Sequence, residues 1–292
     1  MKIVAVVPFL NEQEHLGTLL ASIERQQCPP SRLLLVDDGS DDRSPAIAAE
    51  FAARWGFATL MQRPRRPRER DRMVKAHELK AFEWALARAG ADWDVAGKLD
   101  ADLLLPPDFF LELERRFAAD PRLGLAGAYL QSPDDAGVLR RQRCPREHVE
   151  GENTFYRRQC YDEIAPLPPI LGWDTIDELR ARMHGWRTES VEIPSGDPIH
   201  LRRMGSYNGL LRGYRRAGLA AYAYGAHPLY TGLAGVSRMA DRPYVLCGVN
   251  YLAGWVGAAA GRAPRAEPAV RRYARAENIA ALRRRVLAVV LP

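Results

Sequence analysis

Cysteine is scarce in this chain: four in 292 residues, at Cys28, Cys144, Cys160 and Cys247. None sits in a Cys-x-x-Cys pair or beside zinc-type neighbours, which argues against a disulfide scaffold or a zinc module and for reduced thiols in a cytosolic protein. No stretch is strictly apolar over the roughly 20 residues that a bilayer span requires. The apolar start, Met1 to Leu10, is too short for a signal peptide and is interrupted by Pro8, Asn11 and Glu12. No Gly-x-Gly-x-x-Gly follows the first apolar run, so a dinucleotide dehydrogenase is a poor fit. A sugar nucleotidyltransferase would want a glycine-rich Arg/Lys signature near the N-terminus, and none is there. Zinc-finger, helix-turn-helix and RNA-binding signatures are missing too, so no nucleic acid is expected as a partner. There is no internal repeat and no low-complexity segment.

What is present is ordinary globular material. Apolar residues make up 47% and charged residues 27%, enough apolar side chain for a large core. The formal charge is +6, an excess that suits polyanionic substrates, an anionic membrane surface or nucleic acid. The arginines cluster at Arg63 to Arg72, Arg140 to Arg146 and Arg271 to Arg285.

Ile3 to Val7 is apolar without alternation, as a strand buried on both faces requires. Asn11 then fits a helix N-cap, with Glu14 three residues on as its capping-box partner. Leu16, Leu19, Leu20 and Ile23 follow at helical spacing. Leu33 to Val36 reads as a second buried strand, a helix carries Ile47, Ala48 and Phe51, and Phe57 to Met61 reads as a third strand. This alternation predicts an α/β fold, an open, doubly wound, mostly parallel sheet flanked by helices. Further helices are expected over 74–89, 109–117 and 155–164, a strand over 123–130, and a polar loop over 131–147. Another helix begins at Trp173, with Asp174 as cap, Asp177 as its partner and Gly185 just past its end.

Ligands of such sheets bind at the carboxyl ends of the strands. Two acidic clusters fall there: Asp37-Asp38-Gly39-Ser40-Asp41-Asp42 and Lys98-Leu99-Asp100-Ala101-Asp102. Two carboxylates one residue apart, where a buried strand runs out, either hold a hard cation such as Mg²⁺ or Mn²⁺ or cap a turn.

Four segments in order carry a resemblance. They are Val6-Val7-Pro8-Phe9-Leu10-Asn11-Glu12, Val36-Asp37-Asp38-Gly39-Ser40, Asp100-Ala101-Asp102, and Gly172-Trp173-Asp174 followed by Asp177-Glu178-Leu179. Over about residues 1–200 the sequence resembles the inverting family 2 glycosyltransferases, which have the GT-A fold. It departs from them at Trp173, where many members carry Glu, which changes the acceptor-side wall. The resemblance implies a catalytic domain over 1–204, with a nucleotide-binding half to about 105 and an acceptor-binding half from 106. It implies transfer of a sugar from a nucleotide-diphosphate donor, a UDP-sugar first of all, to a saccharide or lipid-linked acceptor.

The same resemblance distributes roles. Pro8, Phe9, Asn11 and Glu12 wall the nucleotide, and Asp37 or Asp38 accepts from its base. Asp102 coordinates Mn²⁺ or Mg²⁺, while Asp100, with Ala101 beside it, reaches the ribose or the metal through water. Lys98, and Lys75 in the basic segment from Arg70, are set against the phosphates, with plain solvated cations as the alternative. Asp174 is the general base and Asp177 its reserve. His200 is either a structural histidine or a third metal contact. Glu152, Asn153 and Trp173 line the acceptor side.

Residues 205–292 are expected to form a mainly helical extension. Gly218 to Gly235 and Tyr244 to Gly261 are rich in Ala, Gly, Tyr and Leu and flanked by arginine. They read equally as helices lying on a membrane surface or as buried hairpins. A basic last helix could meet anionic lipid at the cytoplasmic membrane face. A sugar nucleotidyltransferase, or a non-catalytic module that binds membrane or nucleic acid, is the competing reading.

Overall fold

The computed structural model describes residues 1–65, 71, 73–134, 136–142, 144–202 and 209–290, with side chains as far as 284. Most of the basic loop expected over 63–72, including Arg70, lies outside the described residues.

In chain order the elements are β1 (Ile3–Phe9), α1 (Leu16–Glu24), β2 (Arg32–Asp37), α2 (Ser44–Arg54), β3 (Ala58–Gln62), α3 (His77–Leu86), β4 (Val95–Leu99), β5 (Leu103–Leu104), α4 (Phe109–Ala119), β6 (Leu123–Ala128), β7 (Gln131–Pro133), β8 (Leu139–Arg141), β9 (Asn153–Arg157), α5 (Arg158–Ile164), α6 (Trp173–Met183), β10 (Arg187–Val191), β11 (Ile199–His200), α7 (Leu210–Tyr224), α8 (Pro228–Arg238), α9 (Leu246–Ala260) and α10 (Pro268–Val290). They form two compact units. The first holds both sheets with helices α1 to α5; the second holds α6 to α10 together with residues 73–76. Residues 166–183, expected with the catalytic domain, thus belong to the helical unit.

The main sheet of the first unit has seven strands in the order β10-β6-β9-β4-β1-β2-β3. All neighbours are parallel except at β9, which runs antiparallel to both β4 and β6. β1 shows why a run without alternation suits this place. Ile3, Ala5, Val7 and Phe9 pack with α1, α2 and α4 in one apolar cluster, while Val4 and Val6 face the other way and are equally buried. A second, four-stranded sheet runs β5-β11-β7-β8.

Three local expectations change. Helix α1 starts at Leu16 after His15, not at Asn11; Asn11 takes a left-handed conformation (φ 56°) and its Oδ1 accepts from Asp41 N at 2.9 Å. The expected loop over 131–147 supplies β7 and β8. The expected helix over 155–164 begins as β9, whose Phe155 and Tyr156 are fully buried; the helix occupies only Arg158–Ile164. Gly97 explains how β9 fits. It pairs with Phe155, and a Cβ at Gly97 would stand 2.2 Å from the Phe155 ring.

Glu189 of β10 is buried between Arg116 and Arg146. Burial alone would raise its pKa, but the two guanidinium groups outweigh it and the net shift is downward. A depressed carboxyl stabilises the fold above its unfolded pKa, roughly 4.3, and that contribution is lost as pH falls through the lower folded value. Glu189→Gln should therefore lower the thermal midpoint at pH 7 while flattening its decline on acidification. An acid limb as steep as the parent's would show that other carboxylates govern it.

In the second unit, Ile176 and Leu179 of α6 pack with Ala266, Val270 and Ala274 at the start of α10. Arg182 ties the same two helices, at 3.1 Å from Glu178 and 3.0 Å from Glu277. α7 and α9 cross with glycine at the contact. A Cβ on Gly218 would lie 1.8 Å from the Tyr251 carbonyl oxygen, and one on Gly254 would lie 2.0 Å from that of Arg215.

Candidate functional site

The carboxyl ends of β1, β2 and β4 lie side by side because these strands are parallel neighbours. Chain leaves each end as a loop. The loops after β1 and β2 are laced together: Asn11 N donates to Ser40 Oγ at 3.1 Å and Glu12 N to Ser44 Oγ at 2.7 Å. Asp37 builds its own turn, its Oδ1 accepting from the amides of Gly39 (3.2 Å) and Ser40 (2.8 Å). Gly39 has φ 97°, a conformation that favours glycine. Asp38 is paired with Arg63 at 2.6 Å, both side chains under a tenth exposed. Phe9 is a core residue, 3% exposed, so of the expected nucleotide wall it supplies packing from beneath. Lys75 is exposed in a turn that groups with the second unit.

The loop after β4 brings in the second acidic cluster, and β9 completes it. Because β9 runs antiparallel to β4, its beginning stands at the end where β4 finishes. Leu99 pairs with Asn153, and Asp100 N donates to Glu152 O at 2.9 Å. From the small sheet comes β11: His200 pairs with Leu103, and Leu201 N donates to Asp102 O at 2.8 Å. One ligand atom each from Asp100, Glu152 and His200 then lies within 4.8 Å of the other two.

Charge is unevenly balanced here. Lys98, 2% exposed, pairs with Asp100. Burial opposes its charge, but Asp100, Glu78 and Glu152 more than compensate and its pKa is raised. Burial and the neighbouring Glu150 and Asp100 push Glu152 up to about 8. His200 sits with Nε2 3.4 Å from Asp102 Oδ1, and its Nδ1 faces the carbonyl oxygen of Arg202 at 2.5 Å. A carbonyl only accepts, so Nδ1 carries a proton and Nε2 is the nitrogen turned to the acids. Burial disfavours its charged form, yet Asp102 and Glu152 raise its pKa. Arg202 spans Asp102 (3.4 Å) and Glu12 (3.0 Å to its other oxygen).

Of the residues expected at the metal, Asp100 and His200 fall in this group; Asp102, expected as the direct ligand, lies outside it, 3.4 Å from His200 Nε2 and 3.4 Å from Arg202. Sequence reasoning set Glu152 on the acceptor side; the fold sets it beside Asp100. Asn153 does not line a cleft. It is fully buried, its Oδ1 accepting from Ala128 N (2.5 Å) and its Nδ2 donating to Ala128 O (3.1 Å), which joins β9 to β6.

The other expected catalytic residues belong to the second unit. Asp174 lies in the first turn of α6, one residue inside the helix rather than at its cap, half-buried, with Oδ1 accepting from Thr175 N at 2.9 Å. Asp177, expected as reserve base, is completely buried and its Oδ1 accepts from Glu178 N at 2.6 Å. No acceptor hydroxyl reaches a carboxylate so enclosed. Trp173 is 4% exposed and is a packing residue of its unit.

A family model described as glycosyl transferase family 2 matches residues 4–170. The chain belongs to that family. This glycosyltransferase also resembles solved structures at low identity, which bears on its fold. A mannosyltransferase from Pyrobaculum calidifontis, solved with GDP-Man and Mn²⁺, is 17% identical, with TM-score 0.56 and coverage of 100% of this chain and 81% of that one. Residues 1–349 of S. aureus TarS with UDP are 13% identical, with TM-score 0.52 over 88% and 71%. GalNAc-T7 with UDP, GalNAc and Mn²⁺ is 14% identical, with TM-score 0.55 over 84% and 52%. No curated protein matches the glycosyltransferase by sequence. Its seven-stranded, mostly parallel sheet flanked by helices is the GT-A arrangement.

Proposed function

We propose that this glycosyltransferase moves a sugar from a nucleotide-diphosphate donor, a UDP-sugar first of all, to a hydroxyl of a saccharide or lipid-linked acceptor. The sugar inverts in a single displacement, and a divalent cation takes part. The observation that carries this reading is the grouping of Asp100, Glu152 and His200 at the strand ends, with Asp102 against His200. Two carboxylates and an imidazole with Nε2 turned inward form a donor set that suits Mn²⁺, and Mg²⁺ less well. Held there, the cation supplies positive charge toward a departing diphosphate. Burial and the carboxylates of Glu150 and Asp100 disfavour an ionised Glu152, and a cation held there would favour its ionised form. The Pyrobaculum enzyme was solved with GDP-Man and Mn²⁺ and TarS with UDP, which supports the donor class.

The chain's own groups divide the remaining work. Pro8 to Glu12 and the Asp37–Ser40 turn flank the nucleotide. Lys98 fixes the Asp100 carboxylate from below. Asp174 takes the proton of the acceptor hydroxyl as attack proceeds, a role that needs an ionised, reachable carboxylate and that Asp177 is too buried to share. A peripheral membrane contact through the basic C-terminal region belongs to the same reading. Among the described residues no helix is long and apolar enough to cross a membrane.

A thermal-shift panel of UDP, GDP and dTDP, each with and without Mn²⁺, tests the proposal. One nucleotide should stabilise the protein only when Mn²⁺ is present, by about 2.7 kcal/mol at a hundredfold excess over its dissociation constant. Glu152→Gln should weaken Mn²⁺ binding by roughly tenfold or more, measured by calorimetry. Indifference of the melting curve to every nucleotide, with or without metal, would sink the reading.

A further inference from the structure

Helices α8 and α9 are packed inside out. α9 has fifteen residues and not one charge. Its inward positions are Cys247, Gly248, Tyr251, Gly254 and Ala258, mostly small, while Leu246, Val249 and Val256 face outward, each 45% exposed or more. α8 repeats the pattern. Thr231 and Gly235 are buried, and Leu229, Leu233 and Val236, spaced four and three apart on one stripe, are 57%, 50% and 61% exposed. Between the helices Tyr244 and Val245 are also exposed.

A helix in water does the reverse, hiding its large aliphatics and showing polar groups. Glycines at the crossing with leucine and valine outside is how helices pack where the surroundings are themselves apolar. Single exposed aliphatics need no explanation, but eight large apolar side chains exposed within two successive helices and their turn do. Neither helix can span a bilayer. Fifteen residues reach about 22 Å, against a hydrocarbon core of about 30 Å. Such helices lie in the plane of the interface.

Charge selects the occupant. Residues 209–284 hold twelve arginines against three carboxylates, Asp241, Glu267 and Glu277. Arg238 closes α8, and Arg242 sits exposed in the turn beside the Tyr244 ring at 5.7 Å. A second copy of the chain would bring like charges together, whereas anionic headgroups neutralise them. We propose that the outer face of α8 and α9, led by Leu229, Leu233, Val236 and Leu246, inserts into the headgroup region of an anionic lipid surface. The proposal rests on the membrane contact included in the reading above and is independent of donor, cation and base.

Flotation of the full chain with phosphatidylcholine vesicles, and with vesicles that also contain phosphatidylglycerol, tests it. The parent should float with the anionic vesicles, less so as salt rises. The triple variant Leu229→Ser, Leu233→Ser, Val236→Ser should lose roughly tenfold or more of this partition with an unaltered melting curve. Because these side chains are exposed, the variant should fold; Val249→Ser with Val256→Ser provides a second, separate removal of the same face. Variants that melt normally and float like the parent would overturn the insertion face while leaving a purely electrostatic contact. A parent that floats with neither vesicle would overturn the membrane contact as well. A parent dimer that the triple variant converts to monomer, without flotation, would identify the face as a self-association surface and overturn the proposal. None of these results touches sugar transfer, which the nucleotide panel reads separately.

Discussion

An Asp174→Asn enzyme should transfer sugar roughly 10²- to 10⁴-fold more slowly than the parent while binding nucleotide and Mn²⁺ unchanged. The substitution keeps size and an acceptor oxygen, so the contact with Thr175 N survives. What it removes is the ability to take a proton, together with one negative charge in the first turn of α6. That charge is worth about 0.3–1 kcal/mol at a helix N-terminus, so the fold should barely respond. The rate should fall far more than the thermal midpoint, and the drop should appear in kcat. Asp177→Asn offers the contrast. Its carboxylate is enclosed, so its loss should show as reduced stability with a smaller change in kcat. Near-parental transfer by the Asp174 variant would move the base to another residue.

The second large effect concerns shape alone. Gly218→Ala in α7 should destabilise the helical unit by about 3 kcal/mol, and Gly218→Val should prevent its correct packing. Alanine is the better helix former by about 1 kcal/mol, so propensity alone predicts the opposite sign. Steric exclusion decides the matter. The new methyl would stand 1.8 Å from the backbone oxygen of Tyr251, and Gly254 meets α7 the same way at Arg215. Backbone cannot rotate aside as a side chain can, so the helices must part. Gly232 in α8 is the control, since a Cβ there meets nothing within 4 Å. Gly232→Ala should be neutral or stabilising by up to about 1 kcal/mol. Urea denaturation of both variants checks the pair; equal midpoints would mean the crossing tolerates separation.

The parts of this protein that read easily from sequence are those governed by local pattern. The apolar runs Ile3–Val7 and Leu33–Val36 became buried parallel strands because nothing but a two-sided core accepts them. Asp100 and Asp102 fell at a ligand edge because the strand before them ends there. β9 was harder. Asn153-Thr154-Phe155-Tyr156 runs straight into a helix, so its apolar residues fit a helical period, and only pairing with strands distant in sequence fixes it as extended. Misreading that segment also hid Glu152, whose place depends on the strand's direction and not on any motif. Asn11 failed as a helix cap for a related reason: its partner, the loop at Ser40 and Asp41, lies in another loop. The outward aliphatics of α8 and α9 were visible as composition, but which face they took depended on the glycines of α7 and α9.

Strand β9 has one more consequence. A slip of one residue along β4 would exchange Phe155 and Tyr156 between the two faces of the sheet and carry Glu152 about 3.3 Å away from Asp100. The ring of Phe155 against Gly97 prevents that slip. The spacing of the acidic centre is therefore partly delegated to an oily side chain in the sheet, and under the proposed function altering that side chain would shift cation affinity while leaving Asp100, Glu152 and His200 in the sequence.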